Sequence, residues 1–348
     1  MIKDLSPSKK CLLYIGVSAI FNLLFTVLGL WEKLYLVGVM INFALIVFIA
    51  QELSRLVRAK DQKLLNKGLA IGFPIIVLIG WELTVRTGIL DARWFPPPTK
   101  IAVALWQLIT GYDTFTKTSL LGRPWLIPQM FSEKGWKGVQ ILLKESHLLA
   151  TLFRVVSGFL VGSIPGVIVG VIMGMSKPVR TMLNSMMSAI YVLPKVTIFP
   201  IMMLVFSDPF GESPKIAVIA IAAFFQTAIN TMAGVADVEN VYLEAGQNYG
   251  ANSLQMFRHI IIPGSLPFIF AGLRLAIGTA LNVIVAIEFV RAKTGLGFLI
   301  LYYWEVMVTE KMYAALLLVM LLGAALAGLI EKFQEWVMPW QKGRVHNG

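Results

Sequence analysis

Few residues in this chain combine reactive chemistry with an unusual setting. Lys195, Gln226, Asn230, Asn282 and Glu288 stand inside long apolar runs. A charge or an amide at membrane depth is expensive, so each is a candidate for solute handling or specific pairing. Glu288 lies near the end of its run, where it can line a pathway or pair with Arg291 or Lys293. Lys195 follows Pro194, and Pro194 and Pro200 both interrupt one run. The broken segment either lines the pathway with its freed carbonyls or is a kink whose lysine reaches a head group. Gln226 and Asn230 share one helix face, as interhelical hydrogen-bond partners or as lining. Catalytic residues are not predicted. No H-E-x-x-H and no Ser/His/Asp grouping occurs, and His147, His259 and His346 are scattered. The single Cys11 excludes an intrachain disulfide and a cysteine-cluster metal site, so no metal site is expected.

The elements that position these residues are membrane helices. Of 348 residues, 57% are hydrophobic and 14% charged, against about 25% charged in soluble domains. The runs are long and continuous, which predicts an all-α integral membrane protein rather than a barrel. Eight spans are predicted: Cys11 to Leu30, Leu34 to Ala50, Leu69 to Val85, His147 to Met175, Leu183 to Phe206, Ile216 to Val235, Pro267 to Val290 and Met312 to Ile330. Trp31-Glu32-Lys33 is read as the first turn. Arg55, Arg58, Lys60, Lys63 and Lys67 crowd the loop after the second span and place it in the cytoplasm. Both termini then fall inside, in agreement with Lys3, Lys9 and Lys10 at one end and Lys342 and Arg344 at the other. The net charge of +11 fits such anchoring, and no basic stripe interleaved with aromatics points to nucleic acid. Three regions follow: 1–68, an N-terminal helix pair with its basic loop; 69–147, a third span and an external segment; and 148–348, the remainder. Ile101 to Ile109 reads as a short amphipathic helix, and Gly111 to Lys137 shows no clear period.

Gly158, Gly162, Gly166, Gly170 and Gly174 recur every four residues in the fourth span. They fall near one face and are read as a seam for close packing, in preference to a loosening for gating. The stretch 236–267 is mostly polar-faced between two spans. It reads as two short helices, the first capped by Asp237 and ending at Gly250, the second capped by Asn252 or Ser253 and stopped by Pro263-Gly264.

That stretch carries a resemblance. Glu244-Ala245-Gly246, then Gly250, Ile260 and Pro263 at their spacings, resembles the EAA loop of ABC importer permeases, with Gly246 where the family has alanine. Further similarity runs from Phe95 to Ile300. It includes Phe95 to Pro98, Trp106-Gln107-Leu108, Thr151 to Val155 leading to Gly158, Gly174-Met175-Ser176, Pro263 to Pro267, Gly272 to Leu275 and Thr294 to Gly297. These stretches are similar to the sulfonate, taurine, nitrate and bicarbonate branch, which also includes permeases for vitamin precursors. The resemblance implies a permease core of about six helices, here with two extra N-terminal helices. It implies a loop around Tyr242, Glu244 and Gly250 that docks on an ATP-binding subunit. It further implies two such ATPase subunits, a second permease chain, a periplasmic or lipid-anchored substrate-binding protein, and a bacterial inner membrane. ATP and magnesium would belong to the partner, because this chain has no G-x-x-x-x-G-K-[ST] and needs no cofactor of its own. The alternative class is an ion-driven secondary transporter, which should show paired acidic residues and inverted repeats. Glu288 stands alone and no repeat is found.

Overall fold

A computed structural model describes residues 6–57, 61–114 and 116–341. Lys3, Arg58, Lys60, Lys342 and Arg344, and the side chains of Lys63 and Arg291, lie outside the described residues. The chain divides into two compact units, 1–102 and 103–348.

The first unit contains α1 (Pro7–Val27), α2 (Leu30–Leu56) and α3 (Gln62–Arg86). The first turn comes earlier than Trp31, because Gly29 takes φ +62° and lets α2 begin at Leu30. α1 and α2 pair through a polar seam. The Asn22 amide donates to Asn42 Oδ1 at 2.8 Å, and Asn42 donates back at 3.1 Å. Such a reciprocal pair in lipid contributes about 0.6–2 kcal/mol and fixes register. All three helices are long and apolar enough to cross a membrane, and most of their side chains are exposed.

Pro98 opens α4 (Pro98–Thr110), where its fixed φ and missing N–H suit a first turn. In the second unit the stretch without period is ordered after all. β1 (Tyr112–Asp113) pairs antiparallel with β2 (Thr118–Ser119). α5 (Ile127–Lys134) and α6 (Trp136–Glu145) follow. These pieces are too short for a helical or strand period to stand out.

Ser146 caps α7 (His147–Met175), accepting from the Leu149 N–H at 3.1 Å. Next come α8 (Lys177–Val192), α9 (Phe199–Val205) and α10 (Glu212–Ala236). A Cβ added to Gly158 would strike Ile219, to Gly162 the Ala220 carbonyl, to Gly166 Phe224, to Gly170 Ala228 and to Gly174 Val235. All five glycines therefore face α10. Both residue series rise together, so α7 and α10 run parallel. A chain cannot enter two parallel helices without returning between them, so α8 and α9 must recross the bundle. They do so as two pieces bent by 95°, not as the single span expected from Leu183 to Phe206. Pro194 sits in the break and Pro200 in the first turn of α9. Counting the bent pair as one crossing gives eight.

α13 (Ile262–Arg291) packs antiparallel to α10, with Gly272 against Asn230 and Gly234 against Phe268. α14 (Leu296–Glu305) and α15 (Thr309–Val337) complete the unit. The core lies where α7, α10 and α13 meet, with Val155, Ile219, Ala223, Ala280 and Ile284 buried. One end of this core carries Arg154, Glu212 and Glu288 and is termed the latch end. The other carries residues 236–267 and is termed the loop end.

Replacing Gly162 with leucine should drive α7 from α10 and cost about 3 kcal/mol or more. Gly328 has nothing within 4 Å of a built Cβ, so Gly328→Ala should be neutral or stabilising by up to about 1 kcal/mol. Thermal unfolding in one detergent distinguishes the two. A Gly162→Leu protein as stable as the parent would contradict the seam.

Candidate functional site

At the latch end a guanidinium is almost sealed from solvent. The Arg154 side chain is 3% exposed, and that of Glu288 is 0%. Arg154 Nη1 donates to Glu288 Oε1 at 2.7 Å and to the Thr294 carbonyl at 2.6 Å. Nη2 donates to Glu212 Oε1 at 2.8 Å, and Nε donates to the other Glu212 oxygen. Lys215 Nζ donates to Glu212 at 3.1 Å. Two cations thus meet two carboxylates, and the cluster, whose Glu212 side chain stays 45% exposed, is neutral in sum.

The same cluster grips a turn. Gly297 N–H donates to Glu288 Oε2 at 2.8 Å, and Leu296 N–H donates to Thr151 Oγ1 at 2.8 Å. Thr151 in turn donates to Glu288 Oε1 at 2.9 Å. Gly295 N–H donates to His147 Nδ1 at 3.0 Å. His147 Nε2 must then carry the proton, and it donates to Thr118 Oγ1 at 2.8 Å. Gly295 takes φ +136°, and a side chain there would overlap the Glu288 carboxylate. The first turn of α14 is therefore anchored to α7, α13 and, through His147, the β1–β2 hairpin. Glu288 pairs with Arg154 on another helix, which corrects the expected partners Arg291 and Lys293. Sequence reading missed Arg154, Thr151, Glu212 and His147 as one group. The available signal was an arginine two turns inside an apolar run, since such a charge needs a carboxylate from another helix.

The other polar residues are dispersed. Lys195 Nζ donates to the carbonyls of Ile190 at 3.3 Å and Leu193 at 2.9 Å, and to that of Tyr191. It closes the C-terminus of α8, where a cation also complements the helix dipole. Gln226 and Asn230 are half-buried, and the Asn230 amide donates to the Gln226 carbonyl at 2.7 Å. Among the described residues they make no hydrogen bond across helices. Asn282 is exposed on α13, on one face with Arg274 and Gly278.

At the loop end lie α11 (Asn240–Asn248) and α12 (Ser253–Met256). Asp237 terminates α10 and does not cap α11, whose N-cap is Glu239. Gly250 takes φ +75° directly after α11, and its N–H reaches the Gln247 carbonyl at 2.9 Å. Asn252 caps α12 in a reciprocal box with Gln255, at 2.9 and 2.8 Å. Pro263-Gly264 does not stop the second helix. A wide five-residue-spaced turn over Phe257–Ile261 absorbs the proline, and the helix runs on as α13. Only Gly246 of α11 is buried, against Met256 and Ile260. Glu244 and Ala245 are exposed, as are the apolar Val241 and Tyr242, and Tyr249 is 92% exposed. Tyr242, Ala245, Gly246, Ile260 and Pro263 all line one groove of about 730 Å³, which Trp340 lines too.

Residues 166–338 match the family described as binding-protein-dependent transport system inner membrane component. The chain belongs to this family of ABC importer permeases. It is similar to a putative aliphatic sulfonates transport permease of Escherichia coli (strain K12), with 29% identity over 72% of this chain and 83% of the relative. It is also similar to a taurine transport system permease of the same organism, with 28% identity over 78% and 89%. A nitrate import permease of Synechococcus elongatus shares 29% identity over 58% and 72%. In this permease the matched segment takes in α10, the loop, α13, α14 and α15, and begins inside α7.

Replacing Arg154 with methionine leaves Glu288 buried without its cation, and the expected cost is about 3–5 kcal/mol. The double variant Arg154→Met/Glu288→Gln should recover part of that loss. Thermal unfolding of the purified permease measures both. A double variant no more stable than the single one would contradict the pairing.

Proposed function

We propose that this permease forms the translocation pathway of an importer for a small sulfonate or a comparable small anion, driven by ATP hydrolysis in partner subunits. The observation that carries the reading is α11. A nine-residue helix that keeps only Gly246 buried and exposes Val241 and Tyr242, with Tyr249 exposed just past its end, is held for something else. Large apolar side chains exposed together on one short element mark a docking site. Its fixed C-terminus at Gly250 and its capping box at Asn252 supply the stiffness a lever needs.

In this reading two ATP-binding subunits dock on the loops of two permease chains, and ATP and magnesium stay in those subunits. A substrate-binding protein delivers solute at the latch end. The chain itself performs no catalysis. The loop end faces the cytoplasm of a bacterial inner membrane, as do both termini. Supporting this, Arg55 and Lys67 flank the connection between α2 and α3, and an even number of crossings returns the chain to its starting side. The exposed face of α13 around Asn282 is assigned to the pathway. Glu288, tied to Arg154, is not free to carry an ion, which weighs against the ion-driven alternative. The substrate class follows the named relatives.

Two substitutions test the docking surface. Glu244→Arg reverses an exposed charge on α11, and Gly250→Val forces a branched side chain into φ +75°. Each should abolish co-purification of a Walker-motif ATPase and solute uptake, and leave the melting temperature of the α7–α10–α13 core nearly unchanged. Normal uptake by both variants would overturn the docking assignment.

A further inference from the structure

The helix pair that precedes α7 leaves one face uncovered. α5 buries none of its side chains, and α6 buries only Gly138, Val139 and Leu142. The pair is nonetheless fixed in place. Gly135 takes φ +57° in the turn between the two helices, and a Cβ on Gly138 would strike the Met130 carbonyl, so α5 lies close against α6. At the base of the pair Arg123 Nη2 donates to Glu145 at 2.6 Å, and Ser146 Oγ donates to the Leu120 carbonyl at 2.9 Å.

The outward face combines aromatic rings with free cations. Trp125, Phe131, Trp136 and Leu143 are exposed, Trp136 by 72%. Phe131 and Trp136 meet edge to face at 5.7 Å, so both helices contribute to one aromatic patch. At 3.6 residues per turn, Leu143 and Trp136 sit next to Lys144 and Lys137 on the exposed side of α6. Lys134, Lys137 and Lys144 have no ion pair or hydrogen bond among the described residues. Ser146 alone separates α6 from α7, a helix of 29 residues, roughly 43 Å at 1.5 Å per residue. That exceeds the hydrocarbon thickness of about 30 Å, so α7 reaches beyond it to the head groups, and α6 joins α7 at its latch end.

We propose that α5 and α6 lie in the membrane interface at the latch end and bind anionic phospholipid there. Trp136, Phe131 and Leu143 enter the acyl boundary, as the apolar faces of interfacial helices do. Tryptophan suits this depth, because its ring is apolar and its N–H is polar. Lys137 and Lys144 extend past the apolar edge to lipid phosphates, whose charge complements theirs. A soluble protein could also cover exposed rings. Lipid is favoured because unpaired lysines border the rings and because the face adjoins a membrane-spanning helix. The anchor sets the depth of α6 and, through the single joint at Ser146, that of the His147 end of α7. It stands whichever solute the permease carries.

The test uses the full-length permease with Cys11→Ser, a nitroxide carried by Leu143→Cys, and nanodiscs of phosphatidylcholine with or without phosphatidylglycerol. Thr114→Cys, in the exposed turn between β1 and β2, is the water-facing control. Microwave power saturation reads collisions with oxygen, which concentrates in lipid, and with a nickel chelate, which stays in water. Oxygen should dominate at Leu143 and nickel at Thr114. Phosphatidylglycerol should lower nickel access at Leu143 by about twofold or more, and Lys137→Gln/Lys144→Gln should abolish that change. The same double variant should keep the parental melting temperature in detergent. A Leu143 label as open to nickel as the Thr114 label overturns the proposal and assigns the face to a soluble partner. A label indifferent to phosphatidylglycerol, or a response that the double variant retains, also overturns it. In the unlabelled chain, Trp136→Phe should reduce the quenching of tryptophan fluorescence by phosphatidylcholine brominated in its acyl chains. Quenching that stays at the parental level contradicts the assigned depth.

Discussion

A guanidinium withdrawn from water is the constraint on which the latch end depends. Moving Arg154 out of solvent carries a penalty of several kcal/mol, and attraction to Glu288 offsets it only if the remaining donors are also satisfied. They are: Glu212 takes two of them and the Thr294 carbonyl a third. The cluster is therefore poor as a source of net stability and effective as a register mark. It fixes α7 against α10 and α13, and it fixes the turn 294–297 against all three. Since that turn launches α14, the placement of α14 is set by the same charge. Glycine at 295 and 297 is the necessary companion, because a side chain at 295 would occupy the space of the Glu288 carboxylate and one at 297 would strike the Val285 carbonyl and the Glu288 Cβ.

The glycine seam does for shape what the ion pairs do for register. Lipid tails are as apolar as leucine, so helices in a membrane gain from close packing rather than from leaving water. Five glycines at four-residue spacing bring α7 onto α10 until carbonyls of one lie where side chains of the other would be. The seam is also what makes the two helices parallel neighbours, and parallel neighbours dictate the recrossing by α8 and α9. Pro194 and the three carbonyls held by Lys195 complete that recrossing as a bend. The lysine that looked out of place in the sequence answers a local need created by the broken helix.

Much of this was legible in the chain itself. Span-length apolar runs dictate helices, and spacing of four among Gly158 to Gly174 dictates a common face. Gly250 and Asn252 announce their caps through residue type alone. What could not be read is whatever depends on distant partners. Glu288 offers no hint that its cation lies 134 residues away. Asp237 looks like an N-cap because aspartate favours that position, but α10 ends on it and Glu239 takes the cap. Pro263-Gly264 looks like a stop, yet one widened turn lets the helix pass. The hairpin and α5–α6 escaped because a two-residue strand or an eight-residue helix is shorter than the window in which periodicity shows.

The passage of the helix through Pro263 bears on the proposed coupling. Residues 253–290 form one continuous helical run of 38 residues, roughly 57 Å at 1.5 Å per residue. That exceeds the hydrocarbon thickness of about 30 Å, so a single rod joins the loop end to the latch. The rod begins at the capped helix beside the loop-end groove and carries Glu288 near its far end. In the proposed importer a pull on α11 reaches this rod through Gly246, which packs on Met256 and Ile260 within it. Breaking a buried pair such as Arg154–Glu288 in every cycle would add about 3–5 kcal/mol to the barrier. Keeping it intact requires α7, α10 and α13 to move as one body. In the proposed importer, switching of access then falls to surfaces that this body leaves exposed, such as the Asn282 face of α13, and the latch serves as the joint that keeps the body whole.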